Sequence, residues 1–223
     1  MKLLSGLKRI FMEYIDGSGY VMLFHRDIER KKIIKKLKLI KEKTDAQIMM
    51  MEALQLYEIT KNTQKIKGDI AEVGVYKGGS ARIICLAKKN KSLFLFDTFR
   101  GLPDISECDK NHFKKGQYAA SLQEVKKTLE GYSNIFISEG SIPESAETIK
   151  DKRFSLVHLD VDIYSSTLKS LHFFYPRTNK GGVIISHDYK TSYGAQKAFN
   201  DFFEDKPEAI LETPGTQCLV VKI

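Results

Sequence analysis

From Gly68 onward the chain alternates short apolar runs with longer amphipathic stretches, and this alternation constrains its fold more than any other feature. The apolar runs that we predict as strands cover residues 69–73, 93–96, 135–137, 155–159, 183–186 and 219–221. The helical patterns between them cover residues 79–88, 121–130, 165–175 and 193–203. Runs that are apolar on both faces and separated by helices are typical of parallel strands joined by right-handed crossovers. We therefore predict an α/β fold with a doubly wound, mostly parallel sheet.

The first third of the chain has a different pattern. Residues 26–43 place isoleucines and a leucine at helical spacing with lysines on the other side, which predicts an amphipathic basic helix. Thr44 with Gln47 has the form of a capping box and predicts the start of a second helix there. We predict a basic helical N-terminal extension over residues 1–66 and one further domain over residues 67–223. The apolar stripe would pack on the core or on a second subunit of a homo-oligomer.

Charge distribution narrows the classes of partner. The chain carries a net charge of +8, and the first 67 residues hold 15 Lys and Arg against 8 Asp and Glu, a net +7. The other 156 residues are therefore nearly neutral, which suits a small-molecule site better than a nucleic-acid surface. We expect no nucleic-acid partner. The basic helix keeps one alternative role, contact with a membrane surface or an anionic substrate.

The cysteines and the N-terminal residues indicate the cellular compartment in which we expect the protein. Cys85, Cys108 and Cys218 are odd in number and lack metal-ligand spacing, so we expect reduced thiols and a cytoplasmic protein. Charged residues interrupt the apolar positions of residues 1–24, which argues against a signal-peptide core or a membrane span.

The loops that follow the strands are where a ligand is expected in such a sheet. The first is glycine-rich, with Gly74 and Gly78, and it leads into a helix whose free amides point at the ligand. Its spacing differs from the G-x-G-x-x-G dinucleotide pattern, and no Walker lysine is present. Asp97 ends the second strand 23 residues after Gly74, where a carboxylate can accept hydrogen bonds from ribose hydroxyls. An adenosine cofactor without a pyrophosphate clamp fits, and S-adenosylmethionine fits better than NAD.

Three motifs together carry a family resemblance. GDIAEVGVYKGGSA, FDTFRGLP and LDVDIYSSTLKSLHFFYPRTNKGGVIISHDY resemble the successive motifs of class I methyltransferases, most closely the macrocin O-methyltransferase (TylF/MycF-type) family. The similarity covers about residues 66–204. It implies a Rossmann-like methyltransferase sheet, S-adenosylmethionine as cofactor, and methyl transfer to a sugar hydroxyl of a natural product, generally with bound magnesium. The cofactor-binding candidates are Glu72, Gly74, Tyr76, Gly78, Ser80, Asp97, Glu139, Gly140 and Ser141.

The fourth and fifth predicted strands lead to the acceptor candidates. Asp160, His187 and Asp188 are predicted as catalytic residues and as ligands of a divalent metal such as magnesium or manganese. Related proteins usually read Asp-Asp-Tyr where this chain reads His187-Asp188-Tyr189. Two alternatives follow: His187 ligates a softer metal, or it takes the acceptor proton itself as a general base. We expect His158 to be a core histidine and Asp162 to cap the following helix.

The function predicted is S-adenosylmethionine-dependent O-methylation of a small saccharide or glycosylated natural-product acceptor. Two alternatives stay open: a non-catalytic nucleotide-binding module of the same fold, and a nicotinamide-dependent reductase. The polar segment from Pro103 to Tyr118 is either a mobile lid over the acceptor or a solvated loop.

Overall fold

A computed structural model describes residues 28–223, and the predictions for residues 1–24 fall outside that range. Two compact units divide after Lys35, and the sheet and the candidate site belong to the unit that spans residues 36–223. The predicted boundary at residue 66 marks where helices give way to the sheet. As a domain boundary it stays a prediction.

The central feature is one seven-stranded sheet. Its strands are β1 Asp69–Val73, β2 Leu93–Asp97, β3 Ile135–Glu139, β4 Phe154–Leu159, β5 Thr178–Ser186, β6 Leu211–Glu212 and β7 Cys218–Val221. Their spatial order is β3-β2-β1-β4-β5-β7-β6. Strands β1 to β5 pair in parallel, and β7 runs antiparallel between β5 and β6. The predicted doubly wound, mostly parallel sheet is confirmed.

In the described part of the chain, two helices precede β1, and the other four lie in the connections between strands. The helices are α1 Ile28–Thr44, α2 Met50–Asn62, α3 Gly79–Ala87, α4 Leu122–Thr128, α5 Tyr164–Phe174 and α6 Tyr193–Phe203. Short 3₁₀ turns cover Thr63–Lys65, Glu107–Asp109, Glu144–Ile149 and Tyr175–Arg177. Within residues 28–223, no helix is both long and apolar enough to cross a membrane.

Aromatic side chains build the core on one face of the sheet. Phe154 and Phe174 meet edge to face with ring centroids 5.2 Å apart, and both are fully buried. Phe199 of α6 joins the same cluster. Each such side chain contributes about 1.5–3 kcal/mol when it leaves water. On strand β1, Glu72 points to the opposite face because side chains alternate along a strand.

The predicted helix start at Thr44 is wrong, and one short strand was not predicted. The capping box at Thr44 does not form, because the Thr44 hydroxyl donates to the Ile40 carbonyl (2.8 Å) inside the last turn of α1. Helix α2 begins instead at Met50, with the Glu52 carboxylate accepting from the Met49 amide (2.9 Å). The two-residue strand β6 was not expected, because its exposed residues carry no apolar pattern.

Candidate active site

The loops after the parallel strands enclose a cavity of about 950 Å³ at the carboxyl edge of the sheet. Among the predicted cofactor and acceptor residues, those that line it are Gly74, Tyr76, Ser80, Asp97, Gly140, Ser141, Asp160, His187 and Asp188. Glu72, Gly78 and Glu139 do not line it. The topology therefore brings most of the predicted residues together, as expected for strand ends that share one edge.

Gly74 directly follows β1 and packs against the backbone of Asp160, which directly follows β4. Its φ is +84°, and a Cβ built there would lie 1.7 Å from the backbone oxygen of Asp160. No side chain fits that space, so glycine is required for close packing of the β1 and β4 ends as well as for its backbone angle.

Asp97 holds the glycine-rich loop in place. Its Oδ2 atom accepts hydrogen bonds from the backbone amides of Val75 (2.7 Å) and Tyr76 (2.9 Å), and its Oδ1 atom accepts from Phe99 (2.8 Å). Three of the roughly four lone-pair positions of the carboxylate are thus used. The remaining capacity is available to a ligand hydroxyl at the cavity wall.

The two residues that directly follow β3 line the cavity. Gly140 and Ser141 line it, whereas the half-exposed Glu139 side chain lies 3.4 Å from the Arg100 guanidinium. Gly78 acts as the residue before α3, with φ at +83°. Of the three cofactor candidates at the end of β3, only Gly140 and Ser141 line the cavity.

Glu72 and His158 form a fully buried pair behind the cavity wall. The Oε1 atom of Glu72 lies 2.8 Å from Nδ1 of His158, and neither side chain is exposed. Burial raises the pKa of Glu72 to about 8 and lowers the pKa of His158 to about 4, so the imidazole is neutral near pH 7. Among residues 28–223, neither Oε2 of Glu72 nor Nε2 of His158 has a hydrogen-bond partner.

His158 also stands beside two of the acceptor candidates. His158, Asp160 and His187 each offer one ligand-capable atom, and these three atoms lie within 4.8 Å of one another. The two imidazole rings meet edge to face with centroids 6.0 Å apart. The structure therefore groups Asp160 and His187 with His158, where the sequence had suggested Asp188.

Asp188 holds the neighbouring loop. Its Oδ2 atom accepts a hydrogen bond from the Asp162 amide (3.0 Å), while the side chain still lines the cavity. Burial raises the pKa of Asp188, and burial likewise raises the pKa values of Asp160 and Asp162. Three carboxyl groups thus lie together in a region that water solvates poorly.

His187 is the cationic group among these carboxyls. Burial opposes its charge, but the nearby carboxylates of Asp160 and Asp188 outweigh that effect and raise the pKa of His187. A protonated imidazole donates hydrogen bonds and cannot accept a proton. The site thus favours a positive charge at this position, supplied either by a proton or by another cation.

Residues that the sequence did not single out support His187 from behind. The Gln217 amide lies 3.2 Å from its Nδ1 atom, and the Thr216 hydroxyl oxygen lies 3.0 Å from its carbonyl oxygen. Glu52 of α2 accepts hydrogen bonds from the amide (2.7 Å) and the hydroxyl (2.6 Å) of Thr216. Glu52 and Thr216 are 164 positions apart, so no local pattern in the sequence could have indicated their contact.

The predicted helix cap at Asp162 is wrong, and Asp109 takes that role. Helix α5 begins at Tyr164, whose amide donates to Oδ2 of Asp109 (3.0 Å). Asp109 is buried, and a Cβ on Gly194 would lie 1.9 Å from its Oδ1 atom, so Gly194 makes room for it. The segment 103–118 is therefore anchored at its centre between α5 and α6.

Comparison with known proteins agrees with this geometry. The family model for macrocin O-methyltransferase (TylF) matches residues 46–213. Demethyldecarbamoylnovobiocin O-methyltransferase of Streptomyces niveus is 26% identical over 153 residues, 61% of this chain and 58% of that protein. A tetracenomycin-C rhamnosyl 4'-O-methyltransferase of Streptomyces olivaceus is 27% identical over 140 residues, 56% of this chain and 54% of that protein. The matches therefore span a little over half of these curated relatives.

Solved structures show the same fold. The O-methyltransferase NovP superposes with a TM-score of 0.66 at 22% identity, over 78% of this chain and 81% of NovP. The calicheamicin methyltransferase CalS11 gives 0.64 at 18% identity, over 89% of this chain and 94% of CalS11. Since the family model covers most of the chain, including strands β1 to β6 and the residues Asp97, Asp160, His187 and Asp188, this chain belongs to the macrocin O-methyltransferase family.

Proposed function

We propose that this protein is an S-adenosylmethionine-dependent O-methyltransferase that acts on a hydroxyl of a small saccharide or glycosylated acceptor. One observation carries the proposal: the loop held by Asp97 and the group formed by Asp160, His187 and Asp188 line the same cavity. Methyl transfer to an alcohol requires a site that holds the nucleoside of the methyl donor and a site that positions and deprotonates the alcohol. This cavity offers candidates for both.

The names of the relatives support the acceptor class. One curated relative methylates a novobiocin precursor and another acts on a rhamnosyl tetracenomycin, while a CalS11 structure is described as a TDP-rhamnose 3'-O-methyltransferase. A further structural neighbour, from Bacillus cereus, was solved with S-adenosylhomocysteine. A cavity of about 950 Å³ has room for a nucleoside cofactor beside a sugar.

The chain's own residues would position the cofactor. Asp97 fixes the loop at Val75 and Tyr76 through two backbone hydrogen bonds and keeps acceptor capacity for a ribose hydroxyl. Gly140 and Ser141 form the wall where an adenine edge would lie. The sulfonium is already a good leaving centre, so alignment of the acceptor hydroxyl and removal of its proton carry the remaining difficulty.

The donor set at the acceptor side fits a divalent cation. Asp160 and His187 offer an oxygen and a nitrogen ligand, and the buried Nε2 atom of His158 has no partner among residues 28–223. Such a cation lowers the pKa of a coordinated hydroxyl and orients it. Because the neighbouring carboxylates raise the pKa of His187, this imidazole must lose a proton before it can act either as a metal ligand or as a base.

Location and assembly are parts of the same proposal. The thiols of Cys85, Cys108 and Cys218 are unpaired, which supports a reducing compartment such as the cytoplasm. The amphipathic pattern of residues 26–43 supports a homo-oligomer formed through the N-terminal helices.

Titration calorimetry with S-adenosylhomocysteine tests the cofactor half of this proposal. We expect binding in roughly the micromolar range, and Asp97→Ala should weaken it by about 1–2 kcal/mol because a charged acceptor and the loop support are both lost. Asp151→Ala is the matched control, since Asp151 is exposed and lies outside the cavity. A folded chain that binds no S-adenosylhomocysteine but binds NADH would instead support the reductase.

The acceptor half needs a transfer assay. Labelled S-adenosylmethionine is incubated with a panel of glycosides and nucleotide-linked sugars, with and without added divalent metal. Methyl incorporation into a sugar hydroxyl is the expected result. Cofactor binding without transfer to any acceptor class would favour the non-catalytic module.

A further inference from the structure

The unused nitrogen of His158 is the starting point. This imidazole is fully buried, its Nδ1 atom is taken by Glu72, and its Nε2 atom has no partner among the described residues. A buried polar atom without a partner is energetically unfavourable. One ligand-capable atom from each of His158, Asp160 and His187 lies within 4.8 Å of the other two, so a single bound ion would be within reach of all three residues.

The Glu72–His158 pair has the form of a metal ligand with its supporting carboxylate. Histidines that bind metals commonly donate their other ring N–H to a carboxylate, which fixes the tautomer and the ring orientation. Here Oε1 of Glu72 lies 2.8 Å from Nδ1 of His158. When Glu72 is ionised and accepts the Nδ1 proton, the lone pair of the neutral imidazole is on Nε2. The Nδ1 atom of His187 lies 3.2 Å from the amide nitrogen of Gln217, which is a donor, so over residues 28–223 His187 lacks a supporting carboxylate of the kind that Glu72 provides for His158.

Asp188 is less available as a ligand than its position in the sequence suggested. Its Oδ2 atom accepts the Asp162 amide, and it does not belong to the group whose atoms lie within 4.8 Å. The ligand set that remains contains two imidazoles and one carboxylate. Imidazole favours zinc and other first-row transition ions, whereas magnesium prefers oxygen ligands throughout.

We propose that His158, Asp160 and His187 bind a first-row transition dication, with zinc as its representative, in preference to magnesium, and that Glu72 orients His158. This inference rests on the proposed function in that it names the ion class of the same site. Measurements of metal binding alone test it. S-adenosylhomocysteine binding by the metal-stripped chain separates its failure from failure of the methyltransferase proposal.

The first experiment titrates chelator-treated, full-length protein with ZnCl₂ and with MgCl₂ by calorimetry. We expect one Zn²⁺ per chain, bound at least about 100-fold more tightly than Mg²⁺. Equal affinities for the two ions, or no Zn²⁺ binding by a sample that binds S-adenosylhomocysteine, would overturn the proposal.

Variants then identify the ligands. Glu72→Gln should weaken Zn²⁺ binding by about 10- to 100-fold, the range seen when the supporting partner of a ligand is removed. His158→Gln removes a ligand and should weaken binding at least as much. His187→Asp should narrow the preference for Zn²⁺ over Mg²⁺ by at least about 10-fold, because it restores an oxygen ligand. His172→Gln, on the exposed face of α5, is the control and should change nothing. Unchanged Zn²⁺ binding in folded His158→Gln would contradict the assignment.

A measurement on the unmodified chain guards against variants that fail to fold. The protein has five histidines, and ¹⁵N-histidine NMR reports each ring separately. Stoichiometric Zn²⁺ should shift the resonances of two buried imidazoles and leave His172 unmoved. Shifts confined to exposed histidines would show surface binding and overturn the proposal.

Discussion

Glu72 and His158 form a buried polar pair whose hydrogen bonding is incomplete within residues 28–223. Two of their atoms, Oε2 and Nε2, lack partners within residues 28–223, and each such atom costs about 1–3 kcal/mol. The pair lies between β1 and β4, where apolar side chains of similar size would pack without that cost. We interpret this unfavourable free energy as a feature of a binding site, because a ligand bound at Nε2 would offset part of it.

Gly74 allows a residue-scale test of how tightly the two strand ends must pack. Gly74→Ala should destabilise the protein by more than about 4 kcal/mol or prevent folding, because the new Cβ would overlap the Asp160 carbonyl. Gly131→Ala is the matched control, since Gly131 has the same φ of +84° with nothing within 4 Å. It should cost only about 1–2 kcal/mol, the price of the left-handed angle. Chemical denaturation measures both, and similar losses would contradict the packing argument.

At the scale of elements, the loops are held by side chains from other parts of the chain. Asp97 holds the loop after β1, Asp188 holds the loop after β4, and Asp109 holds the start of α5. Each carboxylate accepts backbone amides that would otherwise be unsatisfied at a strand or helix end. The cavity thus has walls fixed by carboxylate-to-amide hydrogen bonds.

Removing Asp109 should loosen the segment from Pro103 to Tyr118. Asp109→Ala leaves the Tyr164 amide without its acceptor, so we expect a loss of about 1–2 kcal/mol and faster amide exchange across residues 103–118. Asp104→Ala in the same segment removes only an exposed ion pair with Lys115 and should have no measurable effect. Exchange rates that are equal in the two variants would show that Asp109 is not the anchor.

The carboxylate of Glu208 allows a test of how the stability of the protein depends on pH. Burial opposes its charge, but hydrogen bonds from Lys222 (2.6 Å) and Tyr175 (2.9 Å) outweigh it and hold its pKa below the usual range. The resulting stability is present above the unfolded-state pKa and is lost as pH falls through the folded-state pKa. Glu208→Gln should therefore cost about 1–3 kcal/mol at pH 7 and progressively less below about pH 4.5.

Denaturation of wild type and Glu208→Gln at a series of pH values measures that difference. Glu204→Gln, a nearby exposed position, should match wild type throughout. A difference that stays constant as the pH falls would mean that the ion pair with Lys222 does not set the pKa of Glu208.

The strands could be predicted because a fully buried parallel strand must be apolar on both faces. Strand β1 matched over Asp69–Val73, and the other predicted strands differ only at their ends, with β5 extended back to Thr178. The carboxyl-edge rule then placed Asp97, Asp160 and His187 at one cavity. What could not be predicted depends on contacts between distant positions. Glu52 reaching Thr216, and Asp109 replacing Asp162 as the cap of α5, are both of this kind.

At the scale of the whole molecule, charge and chemistry are separated along the chain. The first 67 residues carry most of the net +8, whereas the acceptor site gathers carboxyls with His187 as the cationic group. A positively charged cofactor and a divalent cation would both be attracted to such a site. This distribution is consistent with a small cationic cofactor and disfavours a polyanionic partner at the cavity.

In the proposed function, one cavity aligns a methyl donor with the Asp160–His187 side of the site. A crystal structure of the full chain with S-adenosylhomocysteine would show whether it does. We expect a ribose at Asp97, an adenine edge along Gly140 and Ser141, and a sulfur facing Asp160 and His187. A nucleoside bound outside this cavity, or a sulfur directed away from those two side chains, would contradict it.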